Sequence, residues 1–84
     1  MFLKVDSVTY LRGYELRIRF NNGIVKDVEL GSELDDEEFR ELRDPGLFGR
    51  VRANERTGAL EWPNGAELSP EFLFDVGRSV LPAA

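Results

Sequence analysis

The sequence contains no cysteine and no histidine, and only one methionine and one tryptophan. Without thiols there is no disulfide framework, no thiolate nucleophile and no zinc–thiolate site. Without imidazole there is no histidine general base and no histidine metal ligand. No apolar run approaches the ~20 residues that cross a bilayer, so no membrane association is expected. The opening Met1-Phe2-Leu3-Lys4-Val5-Asp6 has no basic stretch leading into an apolar one. No signal peptide is therefore expected, and a cytoplasmic location fits best. The glycines form neither GxGxxG nor GxxxxGK, and no serine stands in GxSxG, so neither a phosphate cradle nor a nucleophile elbow is indicated. No cofactor and no metal is expected. Carboxylates remain as reactive groups, but no convergent set can be named, and an enzyme is the least favoured class.

What is present fits one small domain spanning residues 1–84 with one core. A hydrophobic fraction of 42%, with six phenylalanines, two tyrosines and the tryptophan, argues for a folded chain rather than a disordered one. The net charge of −5 opposes non-specific contact with nucleic acid. That charge is uneven. Nine acids between Asp27 and Asp44 face only Arg40 and Arg43 beyond Lys26, whereas Arg50, Arg52 and Arg56 lie close to a single acid, Glu55.

Tyr14-Glu15-Leu16-Arg17-Ile18-Arg19-Phe20 alternates apolar and charged residues, the mark of a strand with one buried face. The loop Asn21-Asn22-Gly23 and a second run, Ile24 to Leu30, follow. A two-residue turn would place acids on the apolar face. A three-residue loop pairs Phe20 with Ile24, Leu16 with Val28, Arg17 with Asp27 and Tyr14 with Leu30. The second register is expected, because a one-residue slip would bury charge, and Gly23 suits the left-handed position such a loop needs. Phe2 to Leu11 reads as a preceding strand. A bulge near Asp6-Ser7 brings Val8 and Tyr10 into phase with Leu3 and Val5, and Gly13 makes the turn.

Ser32 is expected to cap a short helix starting near Glu33, with Leu34, Phe39 and Leu42 on its inner face and Asp44-Pro45-Gly46 as its stop. Leu47 to Asn54 reads as a strand, Glu55 to Gly58 as a loop and Ala59 to Trp62 as another strand. Pro63-Asn64-Gly65 forms a three-residue loop that pairs Trp62 with Ala66 and Leu60 with Leu68. Ser69-Pro70 opens the last helix as N-cap and N1, and Phe72, Leu73 and Val76, extended by Val80, form its apolar stripe.

The segment Phe20-Asn21-Asn22-Gly23-Ile24, leading to Glu29-Leu30 and Ser32, is echoed by Trp62-Pro63-Asn64-Gly65-Ala66, leading to Glu67-Leu68 and Ser69. A duplicated unit and the reuse of one turn grammar both account for this. Either way the expected fold is α+β: antiparallel sheet or sheets from two β-β-β-α-like units, with two short helices packed on one face.

The candidate interaction residues are Trp62, Pro63, Asn64, Arg50 and Arg52. Trp62 reads either as a core residue or as an exposed aromatic beside a rigid loop, where it would suit partner recognition. Arg50, Arg52 and Arg56, with Arg17 and Arg19 if the sheets are continuous, form either a basic ridge or the partners of Glu15, Glu29, Glu61 and Glu67. Glu15 opposite Glu29 and Glu61 opposite Glu67 are like-charge pairs that call for a neighbouring arginine. Asp35-Asp36-Glu37-Glu38 reads as a solvated helix start.

Leu42-Arg43-Asp44-Pro45-Gly46-Leu47-Phe48 and Thr57-Gly58-Ala59-Leu60-Glu61-Trp62-Pro63-Asn64-Gly65-Ala66-Glu67-Leu68-Ser69-Pro70, after an Asn-Gly hairpin, resemble the bacterial domain-of-unknown-function family 2442. Trp-Pro-Asn-Gly followed by acid-Leu-x-Pro is the most specific part of the likeness. The resemblance implies a small stand-alone protein, or one joined to a helix-turn-helix domain, often encoded beside another small protein in a toxin–antitoxin-like arrangement. It offers no catalytic residues to carry over. No helix-turn-helix stretch is visible, so nucleic acid is not expected as a partner on its own. The leading expectation is a protein-interaction module, the acidic antitoxin-like member of a two-protein system. The alternative is a DNA-associated accessory domain of a transcriptional regulator. The expected partner is a small protein encoded nearby, and a homodimer through a free edge strand is a further option.

Overall fold

The computed structural model describes residues 2–80. Strands β1 (Val5–Arg12), β2 (Glu15–Phe20) and β3 (Val25–Glu29) come first, followed by two 3-10 helices, Gly31–Asp35 and Glu37–Arg43. The one-turn helix α1 (Pro45–Phe48), strands β4 (Arg52–Ala53), β5 (Leu60–Glu61) and β6 (Glu67–Leu68), helix α2 (Pro70–Val76) and strand β7 (Arg78–Ser79) complete the order. Two antiparallel sheets result, β1-β2-β3-β7 and β4-β5-β6. Each contains three consecutive strands in chain order, so the β-β-β-α reading holds and the fold is α+β.

Both hairpin registers are as expected. Leu16 faces Val28 and Arg17 faces Asp27, and the Phe20 amide donates to Ile24 at 2.9 Å. In the second hairpin Leu60 faces Leu68, and the Trp62 amide donates to Ala66 at 3.0 Å. Gly23 and Gly65 take φ of +86° and +91° in the two loops. The register of β1 on β2 slips between Val5 and Ser7, which is the expected bulge. These elements are fixed locally, because alternation chooses the buried face and loop length chooses the partner.

The middle of the chain departs from expectation. Ser32 makes no capping bond, and the first 3-10 helix starts after Leu30. Asp36 is extended (φ −67°, ψ 141°) and divides the two 3-10 helices. Leu34 and Phe39 are five residues apart, too far for one α-helical stripe. The break at Asp36 lets both turn inward, and the eclipsed i, i+3 geometry of 3-10 helix then aligns Phe39 with Leu42. Asp44-Pro45-Gly46 is a start rather than a stop, since Pro45 opens α1. Leu47–Asn54 is accordingly not one strand. Leu47 and Phe48 are helical, and only Arg52 and Ala53 pair.

Helix α2 begins as expected, with the Ser69 hydroxyl accepting from the Phe72 amide at 3.2 Å. Its inner face differs. Leu73 is fully buried, but Phe74 packs edge-on to Phe20 at 5.0 Å while Val76 is 46% exposed. Lys26 donates to the Phe74 carbonyl and lies 3.8 Å from the centre of its ring, so one cation satisfies a free end carbonyl and faces the π cloud. The helix does not reach Val80. Gly77 is extended, Arg78–Ser79 joins β3, and the Val80 amide donates to Val25 at 2.9 Å.

The core centres on Leu16, Ile18, Phe20, Val28, Leu30, Leu42, Phe48, Leu60 and Leu73, all fully buried. Phe48 meets Tyr14 at 5.2 Å, Tyr10 at 6.1 Å and Trp62 at 6.0 Å between ring centres, so it touches rings from both sheets. Burying such a side chain is worth about 1.5–3 kcal/mol, whereas an exposed ion pair is worth about 0–1. The sheets are therefore held together by apolar packing. The second unit also closes on β1 through its backbone, where the Val5 amide donates to Gly58 at 2.8 Å and β4 lies beside β1.

Gly58 is required there twice over. It has φ +77°, and a Cβ would lie 2.5 Å from Lys4 Cγ. Left-handed backbone alone costs a non-glycine residue about 1–2 kcal/mol. Gly58→Ala should exceed that loss, whereas Gly23→Ala, with open space around it, should show only the backbone part. Urea midpoints of the two variants compare them; equal losses would remove the Lys4 approach as a constraint.

Candidate functional site

The outer face of the second sheet is built from residues whose neighbours along each strand face the core. Leu60 is fully buried and Glu61 turns outward, opposite Arg52 on β4 and Glu67 on β6. Arg52 Nε donates to Glu61 Oε1 at 2.7 Å and Asn54 Nδ2 to Oε2 at 3.0 Å. The Glu61–Glu67 pair is thus relieved on one side by a cation and an amide. The hydrogen bonds from Asn54 and then Arg52 hold the Glu61 carboxyl below its ordinary value. Asn54 also shapes the loop, since its Oδ1 accepts from the Arg56 and Thr57 amides in an Asx turn.

Above this pair lies an open concavity of about 480 Å³ lined by Arg50, Arg52, Glu61, Trp62, Pro63 and Gly65. A shallower neighbour of about 330 Å³ shares Arg52 and Glu61 and adds Ala53, Asn54, Glu55 and Arg56. Arg52 is committed to Glu61. Arg50 is exposed and, among the described residues, its side chain has no ion-pair partner.

Of the five residues chosen from the sequence, four line the larger concavity: Arg50, Arg52, Trp62 and Pro63. Of the two readings of Trp62, the core residue is the one observed. It is not an exposed aromatic: only 3% of it is accessible, and its indole Nε1 donates to the Phe48 carbonyl at 2.9 Å. A tryptophan needs a partner for its N–H when buried, and the end of α1 supplies one. Trp62 contributes a small part of the concavity floor. Asn64 lies outside the lining, with Oδ1 accepting from the Ala66 amide at 3.1 Å and Nδ2 donating to Glu41 at 3.3 Å.

The wider ridge does not form as one surface. Arg17 makes two bonds to Asp27, at 2.8 and 3.0 Å, on the outer face of the first sheet, and neither Arg17 nor Arg19 lines either of these two concavities. Glu15 opposite Glu29 is relieved by Arg12 at 2.6 Å and Arg78 at 3.7 Å. Of the arginines expected in this internal role, Arg52 takes it with Glu61 and Arg17 pairs with Asp27, whereas Glu15 is met by Arg12 and Arg78, which the sequence did not single out. Asp35 to Glu38 is exposed, with Asp35 paired to Arg43, and the described residues contain no acid cluster suited to a metal. Asn54 was absent from the candidate set. Its one sequence signal is its place at the head of a loop closed by Gly58, where asparagine favours an Asx turn.

These features define a small two-sheet α+β domain with an arginine-lined concavity on its second sheet. The chain belongs to the family described as protein of unknown function DUF2442, whose pattern matches residues 5–79. Among solved structures it is similar to the "Putative DNA Binding Protein NE0471" of Nitrosomonas europaea, at 27% identity and a TM-score of 0.78. That likeness covers 90% of this chain and 49% of the other, so the chain spans about half the length of that protein. No curated protein matches. Among the described residues no helix is long and apolar enough to cross a membrane.

The Arg17–Asp27 pair gives a pH prediction. Hydrogen bonding from Arg17 holds the Asp27 carboxyl below its ordinary value, against the opposing effect of desolvation. A carboxyl with a lowered folded pKa stabilises the fold above its unfolded pKa of ~3.9, and this is lost as pH falls through the folded value. Asp27→Asn should flatten the loss of stability between about pH 5 and pH 2. Urea midpoints across that range provide the check, and parallel curves for the two proteins would rule the contribution out.

Proposed function

We propose that this chain is a non-catalytic protein-interaction module, the acidic antitoxin-like member of a two-protein system. The observation that carries this reading is the unpaired Arg50 beside the preset Arg52–Glu61 pair, over a floor of Trp62 and Pro63, on a chain of net charge −5. An arginine beside a concavity is a usual anchor of a protein interface. The titratable groups whose ionisation is displaced lie in ion pairs between neighbouring strands, an arrangement that serves folding. The test is co-purification of the tagged chain with the product of the adjacent gene, followed by size-exclusion chromatography. A stable complex at micromolar concentration is expected, and its absence would count heavily against the reading.

A second reading is favoured by one observation, the likeness to half of a longer protein named for DNA binding. This chain would then be an accessory domain of a DNA-associated regulator, meeting phosphate through cations such as Arg19, Arg50 and Arg56, which make no ion pair among the described residues. Its net charge opposes that role, and any such binding must weaken steeply with salt. A gel-shift assay on the isolated chain separates the two readings: retardation that fades with salt favours DNA, whereas none even at low salt removes it.

A further inference from the structure

We infer that the concavity between Arg50, Arg52 and Pro63 receives a single carboxylate, an acidic side chain from a partner protein. The inference rests on the interaction reading above and specifies the chemistry of the partner.

Charge selects the ligand. The lining carries two cations, Arg50 and Arg52, and one anion, Glu61. The anion is already satisfied by Arg52 and Asn54, which leaves one positive charge, on Arg50. A carboxylate matches that charge and suits the two-pronged geometry of a guanidinium. A phosphate dianion would bring a second negative charge beside Glu61, and the next cation, Arg56, lines only the adjoining concavity, which also holds Glu55. A nucleic-acid strand would also meet Glu55, which lines the adjoining concavity, and an exposed Glu67 on the same sheet face.

Shape and order agree. About 480 Å³ is at the small end of ligand-sized hollows and exceeds one side chain, so it admits an acidic residue with an apolar neighbour against the exposed Pro63. The receiving groups are also fixed in advance. Trp62 is held through its indole N–H, and Arg52 is set by Glu61. Docking then needs to order chiefly one side chain, Arg50, which lowers the entropy cost of binding.

The test uses the whole chain, labelled with ¹⁵N. It is titrated separately with acetyl-Leu-Glu-Ala-amide, with its Gln counterpart, with inorganic phosphate and with a short single-stranded oligonucleotide. Saturable shifts of Arg50 Nε–H and the Gly65 amide are expected with the Glu peptide, with affinity about tenfold above the Gln peptide, as for loss of a charged hydrogen-bond partner. Arg50→Gln should abolish the response and Arg56→Gln should leave it. Equal response to both peptides, persistence in Arg50→Gln, or a stronger response to phosphate or oligonucleotide would overturn the inference. The same variant then separates it from the broader reading. If the gene-neighbour complex forms with Arg50→Gln as with the parent, the interaction reading stands and the carboxylate site falls.

Discussion

Phe48 sits where the two halves of the chain meet, and the architecture depends on its contacts. Its ring packs against Tyr10 and Tyr14 from the first sheet and Trp62 from the second. Its carbonyl accepts the Trp62 indole N–H. The residue ends a single helical turn that Pro45 begins, so a very short element places both a large apolar side chain and a backbone acceptor at one point. Neither sheet could be buried alone. The second has only two-residue strands, and isolated hairpins of that kind are marginal in water. Packing through Phe48, with Leu60 and Trp62 facing inward, joins the two sheets in one core.

The same contact shapes the candidate site. Because Leu60 and Trp62 point inward, the alternation of the strand forces Glu61 outward, and pairing in register sets Arg52 across from it. The loop Pro63-Asn64-Gly65 is pinned through Asn64 to Glu41 on the neighbouring 3-10 helix, which holds the rim of the concavity in place. The arginine-lined hollow is thus a consequence of how the core is closed. Among the described residues no charged or polar residue is buried, so the polar chemistry of the molecule lies on its surface. The chain belongs to the DUF2442 family and spans about half the length of the similar solved protein.

The charge pattern follows a similar division. Most arginines answer an acid on a neighbouring position: Arg12 and Arg78 meet Glu15, Arg17 meets Asp27, Arg43 meets Asp35 and Arg52 meets Glu61. Such exposed pairs add little stability individually, but they decide which cations remain available. Among the described residues Arg50, like Arg19, Arg40 and Arg56, makes no ion pair, and its position falls before the paired residues of the short β4.

By itself the sequence determined the features governed by neighbours in the chain. These are both hairpin registers, the bulge after Val5, the Ser69–Pro70 helix start and the α+β class, because alternation with period two and loop length act over a few residues. It also brought together Arg50, Arg52, Trp62 and Pro63 through one unusual stretch and one arginine run. Tertiary structure alone decided the break at Asp36, the turn that carries Phe48, the burial of Trp62, the choice of Phe74 over Val76 and the return of Arg78–Ser79 to β3. Each of these is settled by contacts between residues far apart in the chain. The free energy of burying a large side chain outweighs the few tenths of a kcal/mol by which local propensities differ.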